Sequence, residues 1–326
     1  MARIALDAMG GDHAPAETVA GAVDASSRGV EVVLVGNHEL LEAELREHGT
    51  PLPIVDAPDV IGMGDDPARA LREKPQASIT VCARLVASGE AGGFVSAGST
   101  GAAMAAAAII IGRVPGVARP AIATIIPTPG TPTLLIDSGA NPEVKPSQLA
   151  QFAIMGSVAA RAVLDANPPR VGLLSIGEEK GKGRDLERAA YELIEAGPVE
   201  FVGNIEGRDL ATDKVDVIVT DGFTGNVFLK ATEGTAALVT SYVYEALADV
   251  PDDVRAVVVP ALAEVKDKMD WETYGGAHLL GVRGSALIAH GRSSRRAISN
   301  ALVMANESAH RDLPARVSEA LQSASS

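Results

Sequence analysis

Apolar residues along this chain fall in short unbroken runs rather than in strict alternation with polar ones. The runs Ile4–Leu6, Val32–Val35, Phe94–Ser96, Ala121–Ile126, Leu134–Ile136, Val171–Ile176, Phe201–Val202 and Val217–Thr220 predict strands buried on both faces. Between them, apolar positions recur at helical spacing over Ala16–Ser27, His38–His48, Ala77–Ala87, Gly101–Ile111, Gln148–Leu164 and Leu186–Glu195. Strand–helix–strand repetition predicts an α/β fold, a three-layer α/β/α arrangement around a mostly parallel sheet. Only Pro127–Pro132 separates two of the strand runs, which suits a hairpin and is too short for a parallel crossover. One antiparallel hairpin is therefore expected.

The C-terminal third changes character. Thr224–Val250 and Asp252–Met269 read as two helices joined around Pro251, a projecting helical hairpin, and a last helix runs from Arg295 into a frayed Ser-rich tail. No internal repeat or long linker divides the chain, so residues 1–326 are expected to form a single α/β domain with 224–269 as its extension. Val254, Val257, Val258, Ala261, Leu262, Val265 and Met269 make an apolar stripe, which Pro260 should kink. Arg255, Lys266 and Lys268 give it only weak positive charge beside Glu264 and Asp267, which favours a homodimer or acyl-chain contact over strong lipid binding.

Composition narrows the function classes. A formal net charge of −14 repels nucleic acid and anionic lipid at long range, and 3% aromatic residues leave little for base stacking. The lone Cys82 excludes an internal disulfide or a thiolate metal cage and fits a reducing, cytoplasmic setting. Asp7 and paired glycines stand where a signal peptide needs an apolar core, and the longest apolar run, Ala102–Ile111, is far short of the roughly 20 residues that cross a bilayer. The expectation is a soluble protein, at most peripheral to a membrane.

Leu6-Asp7-Ala8-Met9-Gly10-Gly11-Asp12-His13-Ala14-Pro15 is the most informative segment: a strand ends in paired glycines and opens a helix. Glycines let backbone approach a ligand closely, and free N–H groups at a helix start attract anions. Gly98-Ser99-Thr100-Gly101 has the same form, either cradling a phosphate or serving as a Ser/Thr helix cap. Gly177–Gly183 holds Lys180 and Lys182 between glycines, where a mobile ammonium can neutralise anionic charge or stay merely solvated. Asn226, which ends Asp221–Asn226, suits an oxyanion donor or a helix cap. Asp7, Asp12, Asp137 and Asp221 stand at or just past strand ends; together they would suit Mg²⁺, but carboxylates facing phosphate repel it, so bracing of loops comes first. Cys82 and the histidines His13, His278 and His290 read as packing residues, and neither a dinucleotide fingerprint nor a Walker loop is present.

The opening segment resembles that of the phosphate acyltransferases known as the PlsX family. The likeness continues through Val95–Gly101, Leu135–Asn141 with Lys145-Pro146, Ile176–Gly183, Gly203–Gly207, Asp221–Asn226, Tyr274–Ala277, Leu279–Gly281 and His290–Ser293, in the family's order and over almost the whole chain. Ser99 and Arg184 stand where the family usually has Asn. The resemblance implies conversion of long-chain acyl carrier protein and inorganic phosphate into acyl-phosphate, at the start of phospholipid synthesis, without a metal or other cofactor. It implies Lys182 and Asn226 as catalytic residues. It also implies a phosphate and substrate site among Asp7, Gly10, Gly11, Asp12, Ser99, Thr100, Asp137, Asn141, Lys145 and Asp221. An acyl-coenzyme A phosphotransacylase and a non-catalytic carrier-binding scaffold are the competing functions. An acidic carrier would need a local basic surface, for which Arg292, Arg295 and Arg296 are the candidates.

Overall fold

The apolar runs pair into one sheet because strands buried on both faces leave no solvent to satisfy their backbone groups. The computed structural model describes residues 3–248 and 250–325. In chain order its first half holds β1 (Ile4–Asp7), α1 (Ala16–Ser27), β2 (Val32–Gly36), α2 (His38–His48), β3 (Ile54–Asp56), α3 (Pro67–Glu73), α4 (Ser78–Ala87), β4 (Gly93–Ser96) and α5 (Thr100–Ala106). Then follow β5 (Ala121–Ile126), β6 (Thr133–Ile136), α6 (Pro146–Val163), β7 (Arg170–Leu174), α7 (Asp185–Glu195), β8 (Glu200–Ile205) and β9 (Val217–Val219). The chain ends with α8 (Gly222–Ala246), α9 (Asp252–Met269), β10 (Ala277–Leu280), β11 (Ser285–Ile288), α10 (Arg295–His310) and α11 (Leu313–Ser325).

The eleven strands lie in the order β3-β2-β1-β4-β11-β10-β5-β6-β9-β7-β8. Most neighbours are parallel. The expected hairpin is there, with Ala123 opposite Ile136 and Ile126 opposite Thr133. β10, a short run holding His278 that periodicity does not single out, adds antiparallel ladders to both β5 and β11. Strand direction therefore reverses across the sheet: β1, β2, β3, β4, β11 and β5 run one way, β10, β6, β7, β8 and β9 the other.

Alternate residues of the strands feed the two faces. On one, Ile4, Leu6 and Val95 pack with α1, α2 and α10, while Leu134, Ile136, Val217 and Val219 pack with α6 and α11. On the other, Ala5, Phe94, Ile122 and Leu279 pack with α4 and α5, while Leu135, Ile218 and Ile126 receive Phe228 and Leu229 of α8. Beside α5 this second face holds a groove of about 470 Å³, lined by Met104, Ala105, Ala108, Arg113, Arg119 and Asn141 among others.

α8 and α9 occupy the two segments read as helices, and α9 continues through Pro260 with no buried residue. The C-terminus differs from expectation. The helix from Arg295 breaks at Asp312, whose φ is 49°, and the supposedly frayed segment is α11, with Leu313, Val317 and Leu321 buried against α6; Ser326 lies outside the described residues. Three apolar side chains at helical spacing outweigh the low helix propensity of the serines. Accordingly, Leu313→Ala should cost about 2–5 kcal/mol in a denaturant titration. A frayed tail would leave the midpoint unmoved.

Candidate active site

Reversal of the sheet changes where the predicted loops lie. Loops that follow β1, β4 and β11 leave one edge, and loops that follow β6, β7 and β9 leave the opposite edge. Strand-end loops converge at one rim only where the strands run in one direction. Here they form two rims, and α8 crosses the face between them.

On the first rim Asp7 is buried. Its Oδ2 accepts the Ser96 hydroxyl at 2.7 Å, and Gly98 donates its N–H to the same hydroxyl at 3.1 Å. Burial pushes the Asp7 carboxyl up, against the hydroxyls of Ser78 and Ser96 and the amides of the loop. A side chain at Gly10 would stand 2.5 Å from Asp7 Oδ2 and 2.8 Å from the Gly98 nitrogen, so this glycine lets two loops touch. Gly11 has φ +114°, and Asp12 donates its N–H to the Gly291 carbonyl at 2.7 Å. Ser99 is the N-cap of α5, accepting from Ala102 N–H at 3.4 Å. Thr100 is exposed at its start.

The second rim is built around Asp137. Its Oδ1 accepts N–H groups of Ile122 (3.1 Å), Gly139 (3.1 Å) and Ala140 (2.9 Å), and its Oδ2 accepts the backbone and side-chain N–H of Asn141 at 2.7 and 2.8 Å. The Asn141 amide also donates to Pro120 O at 2.8 Å. Both residues therefore brace the loop rather than face a ligand. Asp221 is the N-cap of α8, accepting Thr224 N–H at 2.8 Å and its hydroxyl at 2.9 Å. Gly222 N–H donates to Asn141 O at 2.8 Å, and a side chain at Gly225 would stand 1.9 Å from Asp137 O. Contact this close fixes the start of α8 on the Asp137 loop.

Asn226 follows directly. It is exposed, flanked by Gly139, and has no hydrogen-bond partner among the described residues. The cap of α8 is Asp221, so a capping role for Asn226 is excluded. Lys182 lies in the loop after β7 with its stem over Gly177, where a Cβ would meet Lys182 Cγ at 3.0 Å. Its ammonium has no ion-pair partner among the described residues, whereas Lys180 is held by Glu192 (3.2 Å) and Glu195. Two anchors steady the Lys182 loop: Asn204 Nδ2 donates to Glu179 O at 2.9 Å, and Arg184 pairs with both Glu187 and Asp221. Sequence reasoning missed Arg184. It joins the Lys182 loop to the cap of the helix that carries Asn226.

Other candidates separate from this centre. Lys145 is exposed at the start of α6, on the opposite face. The four acids do not share a centre, since Asp7 and Asp12 are on one rim and Asp137 and Asp221 on the other. Arg295 pairs with Asp24, and Arg296 with Asp267 (3.2 Å) and Asp270 (3.5 Å), so the expected basic patch is largely neutralised. Cys82 is buried and its thiol pushed well up by burial and by the Asp7 charge. His278 is buried against Ser308 Oγ at 2.6 Å, and burial lowers it to about 4.

Asp221 links the site to acid stability. Burial alone would raise its carboxyl, but the Thr224 amide and hydroxyl and the Arg184 guanidinium hold it below the ordinary value. A depressed folded-state pKa gives stability that is present above the unfolded value, about 3.9, and lost as pH falls through the folded one. Arg184→Ala should therefore move the acid-unfolding midpoint, followed by circular dichroism, to higher pH. An unmoved midpoint would mean that the pair contributes nothing.

Residues 2–316 match the family model described as fatty acid synthesis protein. The phosphate acyltransferase of Desulforamulus reducens is 46% identical over 99% of this chain and 98% of its own length. That of Anaeromyxobacter dehalogenans is 48% identical over 95% of this chain and 87% of its own. Among solved structures, a phosphotransacetylase from Streptococcus pyogenes superposes with TM-score 0.66 at 17% identity, over 95% of this chain and 94% of its own, a likeness of fold. Nearly full-length identity of this order, on a chain carrying the family's motifs in sequence, makes this protein an enzyme of the phosphate acyltransferase (PlsX) family.

Proposed function

We propose that this enzyme takes the acyl group from long-chain acyl carrier protein and passes it to inorganic phosphate, releasing acyl-phosphate and free carrier at the start of phospholipid synthesis. The observation that carries this reading is the Arg184–Asp221 pair, which ties the loop of an unpaired Lys182 to the helix of an unpaired Asn226. Acyl transfer to phosphate needs a positive charge and an oxyanion donor, and it needs no enzyme nucleophile. A phosphate oxygen attacks the thioester carbon; a C–O bond forms and the C–S bond breaks, with the electron pair leaving on sulfur as thiolate. Lys182 offsets negative charge on the phosphate and on the developing oxyanion, while the Asn226 amide N–H donates to that oxyanion. Holding the two reactants in line supplies a further part of the rate.

The groove beside α5 offers Met104, Ala105, Ala108 and Leu279 to an acyl chain, with Arg113 and Arg119 also in its lining. Helices α8 and α9 carry exposed Tyr242 (62%), Val257 (74%) and Val265 (50%), which support a second subunit as the partner of these helices. No helix of the described residues is long and apolar enough to cross a membrane. A cytoplasmic enzyme touching the membrane at most peripherally agrees with that and with the net charge of −14.

Purified protein, long-chain acyl carrier protein and phosphate should yield acyl-phosphate trapped by hydroxylamine. Preference for coenzyme A thioesters, or binding of the carrier without phosphate-dependent thiol release, would overturn the assignment. Asn226→Ala and Lys182→Ala should each lower kcat on the order of 10²- to 10³-fold with the melting temperature retained. Lys180→Ala should stay near the parent rate, because its charge is already spent on Glu192 and Glu195. A Lys180 variant more damaging than the Lys182 variant would reassign the charge.

A further inference from the structure

Of the four acids at strand ends, Asp7 accepts Ser96, Asp137 accepts five N–H groups and Asp221 caps α8. Asp12 differs. Its carboxylate is exposed and has no hydrogen-bond or ion-pair partner among the described residues. It lies against the turn 290–292, since a side chain at Gly291 would stand 3.4 Å from Asp12 Oδ2.

That turn presents donors. The Arg292 amide donates to His290 Nδ1 at 3.2 Å, so the neutral imidazole carries its proton on Nε2. Trp271 packs beside the ring with centroids 5.5 Å apart. Burial first, then the charges of Lys230 and Arg292, hold the His290 imidazole below its ordinary value, opposed by Glu233 and Asp12. The Arg292 guanidinium is exposed and without an ion pair among the described residues, unlike its neighbours Arg295 and Arg296. Lys230, whose ammonium acts on His290, stands on α8 four residues after Asn226 and therefore on the same helix face. Glu233, the other carboxylate near the ring, is already occupied by Lys230 at 3.3 Å.

We infer that Asp12, His290 and Arg292 form the seat of the acyl acceptor, and that the free Asp12 carboxylate selects an oxyanion that carries a proton. Inorganic phosphate at neutral pH keeps a P–OH, which Asp12 accepts, while Arg292 and His290 Nε2–H hold the unprotonated oxygens. Sulfate has the same shape and charge as the phosphate dianion and no proton to offer. Against sulfate Asp12 is an unpaired like charge, so the site rejects it. This assignment rests on phosphate as acyl acceptor and deepens it by naming the residue that sets acceptor specificity.

Equilibrium titration of the whole protein with inorganic phosphate and separately with sulfate, with no acyl donor present, tests the seat independently of the carrier. Phosphate should bind roughly 10- to 100-fold more tightly than sulfate, as expected for one hydrogen bond to a charged group. Asp12→Asn should erase most of that preference, weakening phosphate and strengthening sulfate. In the acyl-transfer assay the same change should raise KM for phosphate and leave KM for the acyl donor unmoved. Arg292→Gln should weaken both anions alike. Sulfate held as tightly as phosphate by the parent protein would overturn the proposal, whether or not the Asn variant folds. So would an Asp12→Asn protein that keeps the parent preference. A protein that binds phosphate selectively and makes no acyl-phosphate from acyl carrier protein would instead overturn the carrier assignment alone.

Discussion

A single buried carboxylate holds the second rim together. Asp137 accepts five N–H groups, one from the start of β5 and the rest from the loop that follows β6. Each lost acceptor would leave a backbone donor desolvated, which costs about 1–3 kcal/mol. The loop so fixed offers Asp137 O and Asn141 to the start of α8, and only glycine fits at 222 and 225 against them. The position of Asn226, and of Lys230 a turn later, follows from that contact.

Reversal of strand direction is the second constraint. In a sheet of one direction all strand-end loops open on one side, and the crevice lies there. Here β10 and the β5–β6 hairpin turn the second half over, so strand-end loops occupy two opposite edges. Communication between the rims then falls to helices that cross the face. α8 begins at one rim, packs Phe228 and Leu229 against Leu135 and Ile218, and carries Lys230 toward the His290 turn of the other.

Charge is allotted by the same geometry. The chain is strongly acidic, and most of its cations at the predicted sites are committed: Lys180, Arg184, Arg295 and Arg296 all hold carboxylates. Lys182 and Arg292 are exceptions. Net charge keeps anions away at long range, while these uncommitted cations act within a Debye length. The three acids that brace loops and the one that does not are indistinguishable by residue type. What separates them is whether the fold brings N–H groups or hydroxyls to them.

The sequence by itself determined most of the strand and helix order, the hairpin at Pro127–Pro132, the helical extension and the Gly-rich loops at strand ends. These depend on local periodicity and on glycine placement, which short-range sterics dictate. β3, β10, β11 and α3 escaped it. So did the packing of α11, which exists only once α6 provides a surface for Leu313, Val317 and Leu321. The tertiary structure alone decided that the predicted site residues stand on two rims, that Arg184 couples Lys182 to Asn226, that Asp137 and Asn141 are braces, and that His290 and Asp12 face each other across a turn. Each of those outcomes joins residues far apart in the chain, and no local pattern records which distant N–H or carboxylate will be brought within reach.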